Sequence, residues 1–281
     1  MAFRIAQISD THLSPTHPQF TRNFEALATH LRADRPDLVI NTGDVSAHGE
    51  LGGAEAEADL RFARDQHATL GLDWLALPGN HDVGNDPAVT ERNGADRDRV
   101  ARWNSVFGAD RFLRDIPGWR LVGLNSLITA TDMAEEQFGF LGDVLAGAAP
   151  RRVALFLHKP LCEEAMSELA LTYWAVLPEA RRRMLTLLER TPPAFVASGH
   201  VHQWRDRGIS QGLCQIWAPS VAFHVGDTWQ HRVGEKCQGY VEHLLHPDGR
   251  HDYRLVQPEG LAANDIGLMP EVYGPQTPVT T

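Results

Sequence analysis

Side chains that can bind metal ions recur through this sequence, each shortly after a short apolar stretch. They comprise two aspartates, one asparagine and four or five histidines, whose oxygen and imidazole donors suit hard and borderline divalent cations. Even seven such donors exceed what one ion needs, but they suit two ions that share a bridging ligand. Two ions ~3.5 to 4 Å apart can together hold the attacking and leaving oxygens of a phosphoryl transfer. The residues are Asp10, His12, Asp44, Asn80, His81, His158, His200 and His202.

The apolar stretches are predicted to be strands, because they are short, bounded by turn residues and rich in β-branched side chains. Amphipathic helical stretches at 23–34, 56–71 and 178–190 alternate with several of them, which predicts a mostly parallel sheet covered by helices. The carboxyl ends of parallel strands form one edge, where loops converge into a site. Asp44 is the predicted bridge, since one carboxylate can give an oxygen to each ion. The predicted strands cover 3–9, 37–43, 74–79, 119–126, 152–158 and 194–200.

After residue 200 the pattern changes to hairpin-like segments, which predict a second, largely antiparallel sheet packed against the first. Residues 258–281 are rich in proline, glycine and small side chains, and they are expected to form a tail that drapes over the domain or a partner subunit. Such a tail is compatible with a homodimer. Gly79, at the end of the third strand, is expected to let the backbone turn sharply before Asn80.

The chain has 281 residues, of which 43% are hydrophobic, enough for one large α/β domain or two small ones. Its formal charge of -10 argues against a protein that holds nucleic acid on a broad basic surface. Three scattered cysteines without C-x-x-C spacing predict reduced thiols, and neither disulfides nor a thiolate zinc site. No segment reaches ~18 consecutive apolar residues, so no membrane span is predicted and a cytoplasmic location is expected.

In order along the chain, the motifs read D-x-H, GD, GNHD, H and GHxH. This set resembles the signature of the calcineurin-like metallophosphoesterases, and all five motifs occur in order, each at a predicted strand end. The resemblance covers roughly residues 3–257. It implies an α/β fold, a four-layer α/β/β/α sandwich of two mixed sheets flanked by helices. One domain would then span residues 1–257, followed by the tail at 258–281.

The resemblance also implies a role for each motif residue. Asp44 would join two ions, and His81 would face the phosphate, which makes these two the predicted catalytic residues. The two divalent or mixed-valence ions, manganese or iron with zinc as an alternative, would turn a bridging water into the hydroxide that attacks phosphorus. The ligands of one ion would be Asp10, His12 and His202, and those of the other Asn80, His158 and His200.

The flanking sequences are similar to those of class III cyclic nucleotide phosphodiesterases and related small bacterial phosphodiesterases. The similar stretches are ISDTHL, GDVS, PGNHDV, EEQFGFL, GHVHQ and APSVAFH. This resemblance implies a small-molecule phosphodiester substrate, with 3',5'-cyclic nucleotides as one candidate. A phosphomonoesterase or nucleotide pyrophosphatase on the same site is the alternative enzyme, and a metal-free binding scaffold is the alternative without activity. A nuclease is disfavoured, because basic residues do not gather in one stretch.

Two positions depart from the pattern common in the family. The stretch after Asp44 reads VSAHG, without the acidic residue that some members use to orient the phosphate-facing histidine. Lys159 stands where relatives often have a second histidine, and it would contact substrate phosphate or a carboxylate, or else lie in solvent. His224 and Trp204, near the last motif, are further candidates for lining a substrate pocket, and core packing is the favoured alternative for Trp204.

Overall fold

The structure is a computed structural model that describes residues 1–90 and 93–279. Its strands form two mixed sheets, one of five strands and one of six. In spatial order, the first sheet contains β11 (His251–Val256), β10 (Tyr240–Leu245), β1 (Phe3–Ile8), β2 (Leu38–Asn41) and β3 (Trp74–Ala76). The second sheet contains β4 (Phe112–Ile116), β5 (Trp119–Gly123), β6 (Arg152–Phe156), β7 (Phe195–Ser198), β9 (Leu213–Trp217) and β8 (Arg205–Ser210).

Helices cover the outer face of each sheet. Apolar side chains of α1 (Pro18–Asp34), α2 (Gly53–Ala68) and α4 (Arg97–Phe107) form a core with the first sheet. Those of α5 (Ala134–Ala146) and α6 (Pro178–Leu188) form a core with the second. The remaining α-helices are short: α3 (Asn80–Val83) and α7 (Pro270–Tyr273).

A third core lies between the two sheets, and it explains why the central strands read as continuous apolar runs. Successive side chains of a strand point to opposite faces of the sheet. In β2, Leu38 and Ile40 pack in this middle core whereas Val39 packs against the helices. In β6, Phe156 packs in the middle core and Leu155 packs against the helices. The predicted α/β/β/α sandwich of two mixed sheets is therefore confirmed.

The prediction of a separate antiparallel sheet after residue 200 is wrong. β10 pairs with β11 but also with β1, so this pair of strands extends the first sheet. β9 pairs parallel with β7, and with β8 it extends the second sheet. β10 is held there because Val241 and Leu245 pack in the middle core while Tyr240 packs against the helices. A hairpin pattern indicates that two strands pair, but not which sheet they join.

All six predicted strands are present, and the three predicted helices correspond to α1, α2 and α6. The helix predicted from residue 23 begins earlier, at Pro18, where a proline suits the first turn. The three cysteines are free thiols, as predicted. Among the described residues, no helix has both the length and the apolar character to cross a membrane. Residues 280 and 281, the end of the predicted tail, lie outside the described residues.

Candidate metal centre

The carboxyl ends of five strands bring the predicted ligands to one edge of the two sheets. The loops after β1 and β2 are joined, because the backbone N–H of Asp10 donates to Gly43 O at 2.9 Å. The loops after β6 and β7 are joined by a bond from Gly199 N to His158 O, also at 2.9 Å. Asp10 links the two sheets, since its Oδ2 accepts from His200 N at 3.0 Å. The four loops therefore form one hydrogen-bonded unit.

Several predicted ligands have a left-handed backbone, which few residues other than glycine adopt. Such a conformation costs on the order of 1–3 kcal/mol and persists only where the surrounding structure holds it, often at functional sites. The bonds between the loops supply that support here. The residues and their φ angles are Asp10 (55°), His12 (43°), Asp44 (50°), His200 (71°) and His202 (58°).

The first of two metal groups consists of the buried side chains of Asp10, His12, Asp44 and His202, whose donor atoms lie within 4.8 Å of one another. His202 Nε2 lies 3.1 Å from Asp10 Oδ1 and 3.3 Å from His12 Nε2. His12 Nε2 lies 3.8 Å from Asp44 Oδ2. Donor atoms this close together can share one cation.

The second metal group contains Asp44, His158 and His200, whose donor atoms also lie within 4.8 Å of one another, so Asp44 belongs to both metal groups. Its Oδ2 atom lies 3.4 Å from His158 Nε2. Asn80 adjoins this group, because its Oδ1 lies 3.1 Å from the same nitrogen of His158. The structure thus brings all seven predicted ligands together, with Asp44 in the place that a bridging ligand requires.

Backbone carbonyls determine which ring nitrogen of two histidines faces the site. His158 Nδ1 donates to Thr42 O, and His202 Nδ1 donates to Phe223 O, each at 2.9 Å. A carbonyl can only accept, so Nδ1 carries a proton and Nε2 is the nitrogen left to bind a cation.

Tyr173, in the irregular segment between β6 and α6, orients two further ligands. Its backbone O accepts from His200 Nε2 at 3.0 Å, which leaves Nδ1 as the nitrogen that can bind a cation. Its hydroxyl accepts from Asn80 Nδ2 at 2.9 Å, which leaves Asn80 Oδ1 directed toward His158. No motif in the sequence marks Tyr173, because its contribution comes from its place in the folded loop.

The negative charges of the carboxylates in the two groups are balanced by protonated histidines, a role that bound cations would take over. Burial raises the pKa of Asp44, but the combined attraction of His158 and His81 outweighs burial and holds that pKa well below its usual value. Burial lowers the pKa of His158, yet Asp44 and Asp10 together raise it to about 9. The carboxylates thus pair with protonated histidines, whose protons a metal ion would displace.

The donor set fits two divalent cations. Asp10 Oδ1 is buried and lies 3.1 Å from His202 Nε2, so a cation can replace the proton between these two donor atoms. The donors are carboxylate, amide and imidazole groups, a set that manganese, iron and zinc all accept. These residues therefore have the chemistry for a two-metal site.

Comparison with known proteins assigns the chain to a family. The family model for calcineurin-like phosphoesterases matches residues 3–204. The chain belongs to this family. The predicted family and enzyme class are therefore confirmed: the protein is a metal-dependent phosphoester hydrolase with the residues of a two-metal site. No curated protein matches the sequence significantly.

Solved structures with low sequence identity show the same fold. A dimetal phosphatase from Danio rerio has 15% identity and a TM-score of 0.62, over 90% of this chain and 96% of that one. The purple acid phosphatase PPD1 from yellow lupin (Lupinus luteus) has 13% identity and a TM-score of 0.61, over 100% and 57%. GAP50 of Plasmodium, an anchor in the inner membrane complex, has 11% identity and a TM-score of 0.61, over 93% and 86%.

In this phosphoesterase, His81 lines the cleft beside the two metal groups and belongs to neither. Its backbone N–H donates to Asp44 Oδ1 at 2.7 Å, and its Nδ1 donates to Ala47 O at 3.2 Å. Glu50 Oε1 lies 3.7 Å from the same Nδ1. The stretch VSAHG itself offers no acidic side chain, but Glu50 directly follows it and lies beside His81. The chain folds back, with Glu50 N bonded to His81 O at 3.2 Å, and so brings this glutamate into place.

Glu50→Gln is expected to keep its activity at pH 7 and to be more stable than the wild type as pH rises. Burial raises the pKa of Glu50 from 4.5 to about 9, so the folded protein keeps a proton that the unfolded chain has lost. Wild-type stability therefore falls as pH rises between these values, whereas a neutral glutamine removes that fall. Urea unfolding of both proteins in the metal-free state from about pH 5 to pH 9 measures the effect. Parallel pH profiles would show that Glu50 is ionised in the folded state.

Asp82 holds the loop after β3 against the loop after β2. Its carboxylate accepts from the backbone N–H groups of Val45 at 3.0 Å and of Ser46 and Gly79 at 2.8 Å.

The expectation that Gly79 permits a sharp turn is wrong, because its φ of -109° and ψ of -172° are extended values open to any residue. Glycine is required for space instead: a Cβ here would lie 2.2 Å from Asp44 Oδ1.

Lys159 lies inside the protein, with an exposed fraction of 1%. Its Nζ donates to Asn85 Oδ1 at 3.1 Å. Burial lowers its pKa to about 8, and the nearby carboxylates Asp86 and Glu163 act in the opposite direction. The alternative that placed Lys159 in solvent is therefore wrong, and its side chain instead holds the segment after α3 against the loop after β6.

A cleft of about 340 Å³ opens over the two metal groups. No motif lies in the irregular segment between β6 and α6 or in the tail, and both contribute to the cleft wall. A third contribution comes from the segment after β9. The aromatic side chains in the wall are Tyr173, Trp174, Phe223 and Tyr273.

Of the two further candidates for the cleft wall, His224 does not line the cleft, and Trp204 follows its favoured alternative of core packing. His224 lines a separate cavity together with Lys236 and Gln238. Trp204 packs against the core between the two sheets. His224 follows Phe223, a cleft residue, but its Nδ1 accepts from Gln238 Nε2 at 3.0 Å on the side of the separate cavity.

Proposed function

We propose that this enzyme hydrolyses small phosphodiesters that carry an aromatic group, with 3',5'-cyclic nucleotides as the first substrates to test. The observation that supports this proposal is the composition of the cleft over the metal groups. Aromatic side chains form much of its wall, together with Val225, Ile266 and Gln276. Within the described residues, no lysine or arginine lines it.

The charge of the cleft favours a phosphodiester over a phosphomonoester or a pyrophosphate. A diester has one negative charge, whereas a phosphomonoester carries about 1.5 to 2 at pH 7. Proteins usually bind such additional phosphate charge with arginine or lysine side chains. A cleft without lysine or arginine among its described lining residues suits the substrate with less charge.

The aromatic wall favours a substrate with a planar ring. A nucleobase that stacks on an aromatic side chain gains about 1–3 kcal/mol. The cleft volume of about 340 Å³ lies in the range of pockets that hold one small molecule. A cyclic nucleotide combines both features, since it is a small phosphodiester that carries a base.

We propose manganese, or an iron and manganese pair, as the bound metals, with zinc as the alternative. Two such ions polarise phosphoryl oxygens and lower the pKa of a water molecule, which makes a nucleophile available at neutral pH. Asp44 would contact both ions. The proposed ligands are Asp10, His12 and His202 for one ion, and Asn80, His158 and His200 for the other.

His81 is proposed to contact the phosphate group of the substrate as a hydrogen-bond or proton donor. Because its Nδ1 donates to Ala47 O, Nε2 is the nitrogen left to face the cleft. Burial lowers the pKa of His81, and a bound phosphate anion acts in the opposite direction. The imidazolium favoured in this way can donate to a phosphoryl oxygen or protonate the departing alkoxide.

Substrate comparison tests the proposal. The Mn²⁺-loaded protein is expected to hydrolyse bis(p-nitrophenyl) phosphate with a kcat/KM at least about tenfold above that for p-nitrophenyl phosphate, or ~1.4 kcal/mol. Both compounds release p-nitrophenol, so the leaving group is the same, and methyl p-nitrophenyl phosphate, a diester with one ring, separates the effect of the diester from that of the second ring. The kcat/KM for cyclic nucleotides is expected to exceed that for glycerophosphodiesters, which have no aromatic ring. A higher kcat/KM for p-nitrophenyl phosphate would contradict the diester assignment. Equal kcat/KM values for cyclic nucleotides and glycerophosphodiesters would contradict the role of the aromatic wall.

A further inference from the structure

Tyr273 contacts a predicted metal ligand from the far end of the chain. Its hydroxyl lies 2.7 Å from His12 Nδ1. The corresponding nitrogens of His158 and His202 instead meet backbone carbonyls, those of Thr42 and Phe223. His12 therefore depends on a side chain outside residues 3–204, the part that the family model matches.

The hydroxyl of Tyr273 has a defined direction. It donates to Ala47 O at 3.3 Å, so its oxygen is left to accept a hydrogen bond from the protonated Nδ1 of His12. This arrangement leaves His12 Nε2 unprotonated and directed at the first metal group. Ala47 O also accepts from His81 Nδ1, and the rings of Tyr273 and His81 pack with centroids 4.6 Å apart. One tyrosine thus contacts both a metal ligand and the residue that faces the substrate.

The segment that carries Tyr273 is fixed to the domain. Ile266 and Val272 are buried in an apolar cluster with Phe20 and Phe223. Backbone bonds add to this packing, since His224 N donates to Asn264 O at 2.9 Å and Ile266 N donates to His224 O at 3.0 Å. Because the segment is fixed to the domain, the position of the Tyr273 hydroxyl is also fixed.

We propose that Tyr273 is a positioning residue that orients His12 toward its metal ion and holds His81 against Ala47 O. The C-terminal segment (residues 258–279) is then a part of the active site. This inference rests on the metal centre of the proposed function and not on the substrate class. Its main consequence is a lower affinity for one metal ion when the hydroxyl is lost.

Tyr273→Phe tests the proposal, because it removes the hydroxyl and keeps the ring. We expect the Kd of the metal-free protein for Mn²⁺ at one site to rise ~10- to 100-fold, measured by isothermal titration calorimetry. Tyr253→Phe is the matched control, since its hydroxyl contacts Asp206 Oδ1 at 2.9 Å, away from the metal groups. Kd values for both sites within about twofold of the control would overturn the proposal.

Urea unfolding separates positioning from general destabilisation. Metal binding stabilises a protein according to its affinity, so a positioning role predicts a loss of stability mainly in the Mn²⁺-loaded state. An equal loss with and without Mn²⁺ would overturn the proposal. If the wild type binds two Mn²⁺ ions but splits no phosphodiester, the proposed substrate class fails, and the titration still decides the role of Tyr273.

Discussion

Asp44→Asn is expected to lower kcat for a phosphodiester by about a thousandfold or more, equivalent to ~4 kcal/mol in the barrier. Among the described residues, Asp44 is the carboxylate shared by both metal groups, with Oδ2 3.8 Å from His12 Nε2 and 3.4 Å from His158 Nε2. Asparagine keeps the shape but loses the negative charge that can hold two cations. Steady-state kinetics and metal content by mass spectrometry measure the effect.

Asp110→Asn provides the matched control, because Asp110 is also a buried carboxylate and lies outside the metal groups. Its Oδ2 accepts from Asn125 Nδ2 at 3.1 Å and from Gln137 Nε2 at 3.0 Å, and an amide oxygen can continue to accept these bonds. The bond from Arg111 Nη1 to Oδ1 at 3.1 Å is lost in the variant, but Arg111 also lies outside the metal groups. The control is expected to retain two metal ions and wild-type kcat. An Asp44→Asn protein that does the same would disprove the bridging role.

The predicted ligands could be read from the sequence because each follows a buried strand. β6 and β7 are adjacent and parallel, so residues that follow them, such as His158 and His200, must lie close together. The left-handed backbone of Asp10 and Asp44 could not be predicted in this way. Aspartate adopts that conformation infrequently, and here it depends on hydrogen bonds between loops that only the folded chain brings together.

The side chains that support the site were not predicted, for a different physical reason. Glu50 and Tyr273 lie in irregular or very short elements, where no periodicity relates a residue to a face of the fold. Tyr273 reaches His12 across 261 positions of sequence, and packing of the whole domain determines such a contact. Lys159 is a similar case, since lysine is rarely buried and only its bond to Asn85 reveals its place.

Gly79→Ala is expected to lower kcat/KM by about 100-fold and the free energy of unfolding by about 1–3 kcal/mol. The added Cβ would lie 2.2 Å from both the backbone N and Oδ1 of Asp44, far inside van der Waals contact. The two loops cannot separate freely, because Asp82 binds the backbone N–H groups of Gly79, Val45 and Ser46 together. A shift of the Asp44 carboxylate by about 1 Å is enough to produce such a loss of rate.

Gly139→Ala separates this spatial effect from the general consequences of replacing glycine. Gly139 lies inside α5, and a Cβ there meets no atom within 4 Å. Because alanine favours a helix more than glycine, this variant is expected to gain about 0.5–1 kcal/mol in stability and to keep its kcat/KM. Urea unfolding and initial rates on bis(p-nitrophenyl) phosphate measure both variants. Wild-type rates in Gly79→Ala would mean that the carboxylate of Asp44 can move without loss, which contradicts a bridge held at one fixed place between two ions.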